Sequence, residues 1–195
     1  DLFATMVPSR SLRALVSAIV QARYRHLDRA FPADRRAEIY GQSVGYADPY
    51  TFVFPTYQRL VYLHSLYDIA LSFEHSPLLG CTSFALTDGA SEGGHAILAR
   101  NFDFEAGPIF DVGKAVFLVR QTDRIPYASV AWPGLVGAVS GMNAEGVGIV
   151  VHGARAREAK PDGEPVVHTM RDVLGRAHTT VEAIAERAGV ARRTF

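Results

Sequence analysis

The sequence predicts an α+β fold, and three observations carry that expectation. Apolar residues recur at helical spacing through the segment ahead of Gly80. After Gly80 short apolar runs alternate with turns built from Gly, Pro, Asn and Asp, the pattern of antiparallel strands. Helical spacing returns from Val166 onward. The chain therefore divides into a helical segment, 1–80, and a strand-rich segment, 81–195.

Pro8-Ser9 opens a first helix, along which Leu12, Leu15, Val16, Ile19, Val20 and Tyr24 form one stripe, with Arg10, Arg13, Arg23, Arg25 and Arg29 largely off it. A second helix starts at Pro32 and fades near Gly41 or Gly45. Pro49 and Pro55 punctuate a loop. A third helix is expected from Thr56 to Phe73, with Tyr57, Leu60, Val61, His64, Leu66 and Ile69 facing inward. "CTSFALTD" and "HAILARNFDF" read as two strands of a hairpin joined by "GASEGG". "KAVFLVRQT", "PYASVAWP", "LVGAVSGMN" and "GVGIVVHGA" follow as strands, with "DRIP", "PGL" and "NAEG" as turns. "AREAKPDGEP" is a polar loop. Val166 to Arg187 is helical, with Thr180 as an N-cap inside it. "GVARRTF" reads as a loop entering a strand cut off at Phe195, so the fold is expected to be incomplete at its C-terminus.

The chain has 195 residues, of which 48% are hydrophobic and 21% charged, a composition that supports a packed core. Lys+Arg and Asp+Glu balance at 20 each, so no global basic field marks a nucleic-acid binder. No apolar run reaches the roughly 20 residues of a membrane span. A single cysteine, Cys81, excludes an internal disulfide and a four-cysteine zinc site. His64, His75, His95, His152, His168 and His178 show no metal-binding helical pair, and no metal or cofactor is expected. The chain starts at Asp1 rather than Met, so either an upstream piece was removed or this is a fragment, and a lost signal peptide or anchor stays open.

Cys81 is the candidate nucleophile. Alone, a single cysteine reads as a small buried hydrophobe. Its neighbours change that reading. Gly80 precedes it, and attack of the thiol on the Gly80 carbonyl would give a thioester that water cleaves. The product would have Cys81 as its N-terminus, with an α-amine whose reference pKa of about 7.7–8.0 suits a general base. Arg100 and Asp103 lie in "ARNFDF", which a hairpin returns to the level of Cys81. A cation near a thiol favours the thiolate, and a carboxylate can orient an α-ammonium. "MNAEGVGIVVHG" adds an Asn/Gly turn and a glycine-containing strand that ends at His152 and Gly153, where donors could meet an oxyanion. Phe104, Tyr127 and Trp132 are aromatic candidates for an acyl pocket, with core packing as the plainer reading. Asp68 and Glu74 lie in the leading segment near the Gly80-Cys81 bond, where they could assist cleavage; surface or capping roles are the plainer reading for both.

The ordered pattern "GCTSF…ARNFDF…GMNAEGVGIVVHG" resembles the cysteine-type N-terminal-nucleophile hydrolases, and within them the autoproteolytic group that includes acyl-coenzyme A:isopenicillin N acyltransferase. Bile salt hydrolase, penicillin V acylase and acid ceramidase are more distant members. The resemblance covers roughly residues 78–155. It implies a four-layer αββα sandwich of antiparallel sheets, self-cleavage between Gly80 and Cys81, and residues 1–80 retained as a cleaved α segment. It further implies Cys81 as nucleophile and, through its freed amine, as base, with Arg100 and Asp103 holding that N-terminus. Relatives carry an Asn or Tyr for the oxyanion where this chain has His152 or Gly153. A further oxyanion Asn would fall beyond Phe195. The implied activity is an amidase or acyltransferase acting on linear amides or thioesters through an S-acyl-Cys81 intermediate. Coenzyme A thioesters would be donors rather than bound cofactors. A catalytically inert scaffold of the same fold and a non-enzymatic interaction domain stay open, as does a homo-oligomer.

Overall fold

The computed structural model describes residues 8–51, 54–72, 79–104, 112–153 and 163–184. Glu74, residues 156–162 of the polar loop, the stretch 185–195 and the side chain of Phe104 lie outside what is described. The described part is mixed helix and strand with two antiparallel sheets, an α+β arrangement.

Helix α1 (Arg10–Tyr24) starts where Ser9 Oγ accepts from Leu12 N at 3.4 Å. Its apolar stripe follows helical spacing, yet none of its residues is buried, and Leu12, Leu15 and Ile19 remain exposed. A short 3-10 turn (Leu27–Ala30) leads to α2 (Ala33–Gly45), preceded by Pro32, with Ile39 and Arg35 buried. The single helix expected over Thr56–Phe73 is broken into α3 (Thr56–His64) and α4 (Leu66–Ser72). Ser65 is the cause. Its hydroxyl donates to the Val61 carbonyl at 3.3 Å, and its N–H bonds the carbonyls of both Val61 and Tyr62, which tightens the turn. The break places Val61 and His64, then Tyr67, Ile69 and Ala70, all in the interior.

The hairpin forms as the alternating pattern requires: β1 (Leu79–Asp88) pairs antiparallel with β2 (Gly94–Phe104). The second sheet has the order β3 (Ala115–Val119), β4 (Tyr127–Ala131), β5 (Ser140–Asn143), β6 (Gly148–Val150). "LVGAVSGMN" is a strand only in its second half. Residues 135–139 instead run under the start of α5 (Val166–Arg176), with Ala138 N donating to Val167 O at 2.8 Å. A Cβ on Gly137 would lie 2.6 Å from Val167 Cβ, and one on Gly141 2.7 Å from Leu174 Cδ1, so these glycines let α5 sit directly on the sheet.

Asn143, from the Asn/Gly turn, fastens that contact. Its side-chain amide donates to Leu174 O (3.1 Å) and Ala177 O (2.7 Å), and its oxygen accepts from the Glu145 and Val147 N–H groups. Beyond α5 the cap is Thr179 rather than Thr180: Thr179 Oγ1 accepts from Glu182 N at 3.1 Å, and Glu182 reaches back to His178 N.

Tyr67, Tyr127, Val139, Val151, Met170 and Leu174 build the main core, so Tyr127 is a core residue. Phe31, Ile39, Val61 and Val136 form a second cluster, in which the leading helices share a core with the strand-rich part. Buried arginines latch the same junction. Arg171 of α5 grips Glu38 of α2 with both terminal nitrogens (2.7 and 2.8 Å), and Arg35 of α2 reaches Asp172 of α5 at 2.8 Å. The face of the second sheet turned away from α5 meets the hairpin at β5 and β6 and stays bare at β3, where Val116 and Leu118 are 67% and 79% exposed.

Candidate active site

Strand register decides which of the sequence-predicted residues meet. Cys81 pairs with Phe102, Ser83 with Arg100, and Gly80 with Asp103. Because side chains alternate across a strand, Cys81, Arg100 and Phe102 share one face of the hairpin, while Asp103 lies with Gly80 on the other. The shared face is the one turned toward β5, β6 and α4.

On that face Arg100 is held firmly. Its Nη1 donates to Ser140 Oγ at 2.8 Å and its Nη2 to Val151 O at 2.8 Å. The guanidinium lies over the Phe102 ring at 4.2 Å from the centroid. The same Nη2 makes a long N–H···S contact of 3.8 Å with Cys81 Sγ. Burial pulls Arg100 below the usual guanidinium range, opposed by the charges of Cys81, Tyr67 and Asp103. It remains a cation, since a guanidinium does not lose its proton in a protein. A fixed cation therefore faces a half-buried thiol.

Asp103 is exposed, with its carboxylate beside Gly80. A Cβ on Gly80 would stand 3.5 Å from Asp103 Cβ and 3.6 Å from Oδ2. Gly80 and Cys81 are consecutive inside β1, so Cys81 contributes a peptide nitrogen here. An α-amine released at that point would emerge next to a carboxylate able to accept its hydrogen bonds.

The far end of β6 enters the site in part. Val151 supplies the carbonyl that holds Arg100. A Cβ on Gly153 would lie 3.5 Å from the Tyr67 hydroxyl and 3.0 Å from Leu71 Cδ2, which places Gly153 against α4 at the edge of the site. His152 is half-buried, and its Nε2 has no hydrogen-bond partner among the described residues. Trp132 packs on Phe102 at 5.7 Å, on the same aromatic cluster as Arg100.

Two contributors were not singled out from the sequence. Ser140, on β5, orients Arg100, and no local signal distinguishes it from any other strand serine. Tyr67, on α4, stacks on Phe102 (centroids 5.9 Å, 20° between planes), and its hydroxyl interacts with Cys81 and Arg100. Burial, first, and then the charge of Cys81 push its phenol well above the ordinary range. Next to it, Asp68 accepts from Val166 N, the first residue of α5, at 3.2 and 3.3 Å, and burial raises its carboxyl to about 7. Asp68 is thus a helix-capping residue, as the plainer reading had it. Among the described residues no group of three or more His, Cys, Asp and Glu is placed to hold a metal ion.

The hairpin thus sets the Arg100 guanidinium against the lone thiol, Cys81, with Nη2 3.8 Å from Sγ. Comparison with known families agrees at the level of the family: the model of the acyl-coenzyme A:6-aminopenicillanic acid acyl-transferases matches residues 90–192, just over half of the chain. The chain belongs to this family. The matched stretch begins after Cys81 and takes in Arg100, Asp103, the Asn143 turn and the end of β6. Membership points to acyl transfer and to small acyl-bearing molecules as substrates. No curated protein matches the chain, and no solved structure does.

Proposed function

We propose that this protein is a self-processing amidase or acyltransferase whose nucleophile is Cys81. The observation that carries the reading is the placement of Arg100, fixed by Ser140 and Val151, with its Nη2 3.8 Å from Cys81 Sγ. The thiolate attacks the carbonyl carbon of a linear amide or a thioester, such as an acyl-coenzyme A. The tetrahedral intermediate collapses with loss of the amine or thiol, leaving an S-acyl enzyme. Water then gives the acid, or an acceptor amine takes the acyl group. Arg100 faces the sulfur when its charge develops, while the Gly153 N–H and the His152 ring are the nearest candidates to meet the oxyanion. Phe104, which follows Asp103 in the sequence, is proposed as a pocket residue.

Processing supplies the general base in this reading. Cys81 cleaves the chain at Gly80-Cys81, and its freed α-amine, oriented by Asp103, takes the thiol proton. Residues 1–80 then persist as an α segment bound to the remainder, and the hairpin and the four-stranded sheet form the inner layers of an αββα sandwich.

The test is a denaturing mass measurement of the purified protein beside Cys81→Ala, followed by an amide and thioester turnover screen of both. Two fragments meeting at Gly80 and Cys81, with turnover, both absent in the variant, are expected. An uncut wild-type chain overturns self-processing, and turnover that survives in Cys81→Ala overturns the nucleophile.

A further inference from the structure

We propose that Tyr67, on α4 ahead of Gly80, is a catalytic hydrogen-bond donor to the sulfur of Cys81, acting beside Arg100. The proposal rests on the reading of Cys81 as the nucleophile and adds a group to it from a different segment of the chain.

The geometry comes first. Tyr67 is buried, and its ring is fixed by stacking on Phe102, the strand partner of Cys81. Its hydroxyl interacts with Cys81 and Arg100 and would lie 3.5 Å from a Cβ on Gly153. Buried phenols in folded proteins almost always find a partner. This hydroxyl has no well-aligned hydrogen bond among the described residues, although it interacts with Cys81. An orphaned donor is costly in an apolar setting and makes sense where an anion appears during the reaction. The alternative, a purely structural tyrosine, would be served equally by Phe, which stacks in the same way and buries no polar atom.

The chemistry is that of a donor that keeps its proton. Burial and the adjacent sulfur both disfavour the phenolate, so Tyr67 O–H stays intact. When the thiolate pair attacks the carbonyl carbon, the C–S bond forms and the C=O π pair moves to oxygen. As that pair returns, the scissile C–N or C–S bond breaks, and the leaving amine or thiol takes the bonding pair and the proton that the Cys81 α-amine had accepted from the thiol. When water or an amine displaces the acyl group, the C–S pair returns to sulfur. Tyr67 O–H and Arg100 N–H face the sulfur in the state where it carries the charge, before attack and after release. No bond of Tyr67 breaks at either step. Cleavage at Gly80-Cys81 would leave Tyr67 on the leading fragment, so that fragment would then supply part of the active site.

The measurement is the rate at which iodoacetamide alkylates Cys81 at neutral pH, a clean readout because the chain has one cysteine. It is taken in the wild type, Tyr67→Phe and Tyr67→Met, beside thioester turnover and the melting temperature. Loss of a hydrogen bond to a charged atom is worth roughly tenfold. Both variants are therefore expected to alkylate and turn over about tenfold more slowly, with folding retained in at least one. Wild-type alkylation and turnover in either folded variant overturns the role of Tyr67. If, instead, Cys81→Ala keeps turnover, the nucleophile reading falls, whatever the Tyr67 variants do. If neither variant folds, Tyr67 is a core residue and the proposal is overturned.

Discussion

Among the described residues, the buried Arg35 and Arg171 and the half-buried Arg100 are used in two different ways. Arg35 and Arg171 end on carboxylates: Arg35 on Asp34 and Asp172 at 2.6 and 2.8 Å, Arg171 on both oxygens of Glu38. Arg100 is instead held by neutral groups, Ser140 Oγ, the Val151 carbonyl and the Phe102 ring, with the Cys81 thiol 3.8 Å from Nη2. The first pair neutralise their charge within the fold and join α2 to α5. Arg100 makes no ion pair with a carboxylate among the described residues. A cation that is desolvated and positioned but not paired is what a site needs for an anion that exists only during a reaction. The position of an arginine relative to carboxylates thus separates structural latches from candidate chemistry.

The comparison is most easily broken at Arg100. Arg100→Met should lower acyl turnover by roughly a hundredfold, the usual cost of removing a preorganised donor, while the chain stays folded. Turnover assays and a thermal melt read the two effects separately. A variant that loses stability but not rate would place Arg100 with the latches. Arg171→Met should do the reverse. It leaves Glu38 with only the longer Arg35 contact at 3.7 Å and frees the Val136 carbonyl, and because Glu38 is partly exposed the cost is about 2 kcal/mol of unfolding free energy, read by urea denaturation. Turnover of the folded protein should be unchanged.

A third test sharpens the contrast between paired and unpaired charge by pH. Burial raises Asp68 to about 7, so the folded state holds a proton that the unfolded chain has already released above its ordinary carboxylate range. That contribution is present at low pH and is lost as pH rises through about 7. Asp68→Asn keeps an oxygen for Val166 N and removes the titration. Relative to wild type it should gain about 2–3 kcal/mol between pH 5 and pH 8, followed by urea denaturation at each pH. His168, fully buried against Phe31 and His64, works in the opposite sense. Burial holds it down near about 2, so its stabilisation is complete above its ordinary value of 6.5 and is lost as pH falls from there toward 2. The smallest effect lies away from both clusters. Thr179→Ala, which removes the cap on Glu182 N, should cost about 0.5–1 kcal/mol in the same assay and leave turnover alone.

Much of this was legible in the chain because it depends on local pattern. The hairpin, its register and the return of Arg100 and Asp103 to Cys81 follow from two alternating runs around a glycine-containing turn, and the structure has them. The Asn143 turn was equally visible, but its role was not. Its amide caps the end of α5, a contact between residues 31 and 34 positions apart that no spacing rule contains. The break at Ser65 was missed because helical periodicity continues across it; only the serine hydroxyl bonding back to Val61 ends α3. Tyr67 was missed because its partner is far away in the chain: it is buried against Phe102 of β2, a contact that helical spacing does not contain. The stripe of α1 is the converse case. The periodicity is real, yet Leu12, Leu15 and Ile19 stay exposed, because periodicity states which residues share a face and not what covers it.

The central claim is that Cys81 accepts the acyl group. It is tested most directly by mixing the protein with an acyl-coenzyme A, quenching in acid within the first turnovers, and measuring the intact mass and the modified peptide. One acyl group per chain, located on Cys81 and absent in Cys81→Ala, is the predicted result. Turnover without any adduct on Cys81, or the same adduct mass in Cys81→Ala, would contradict it.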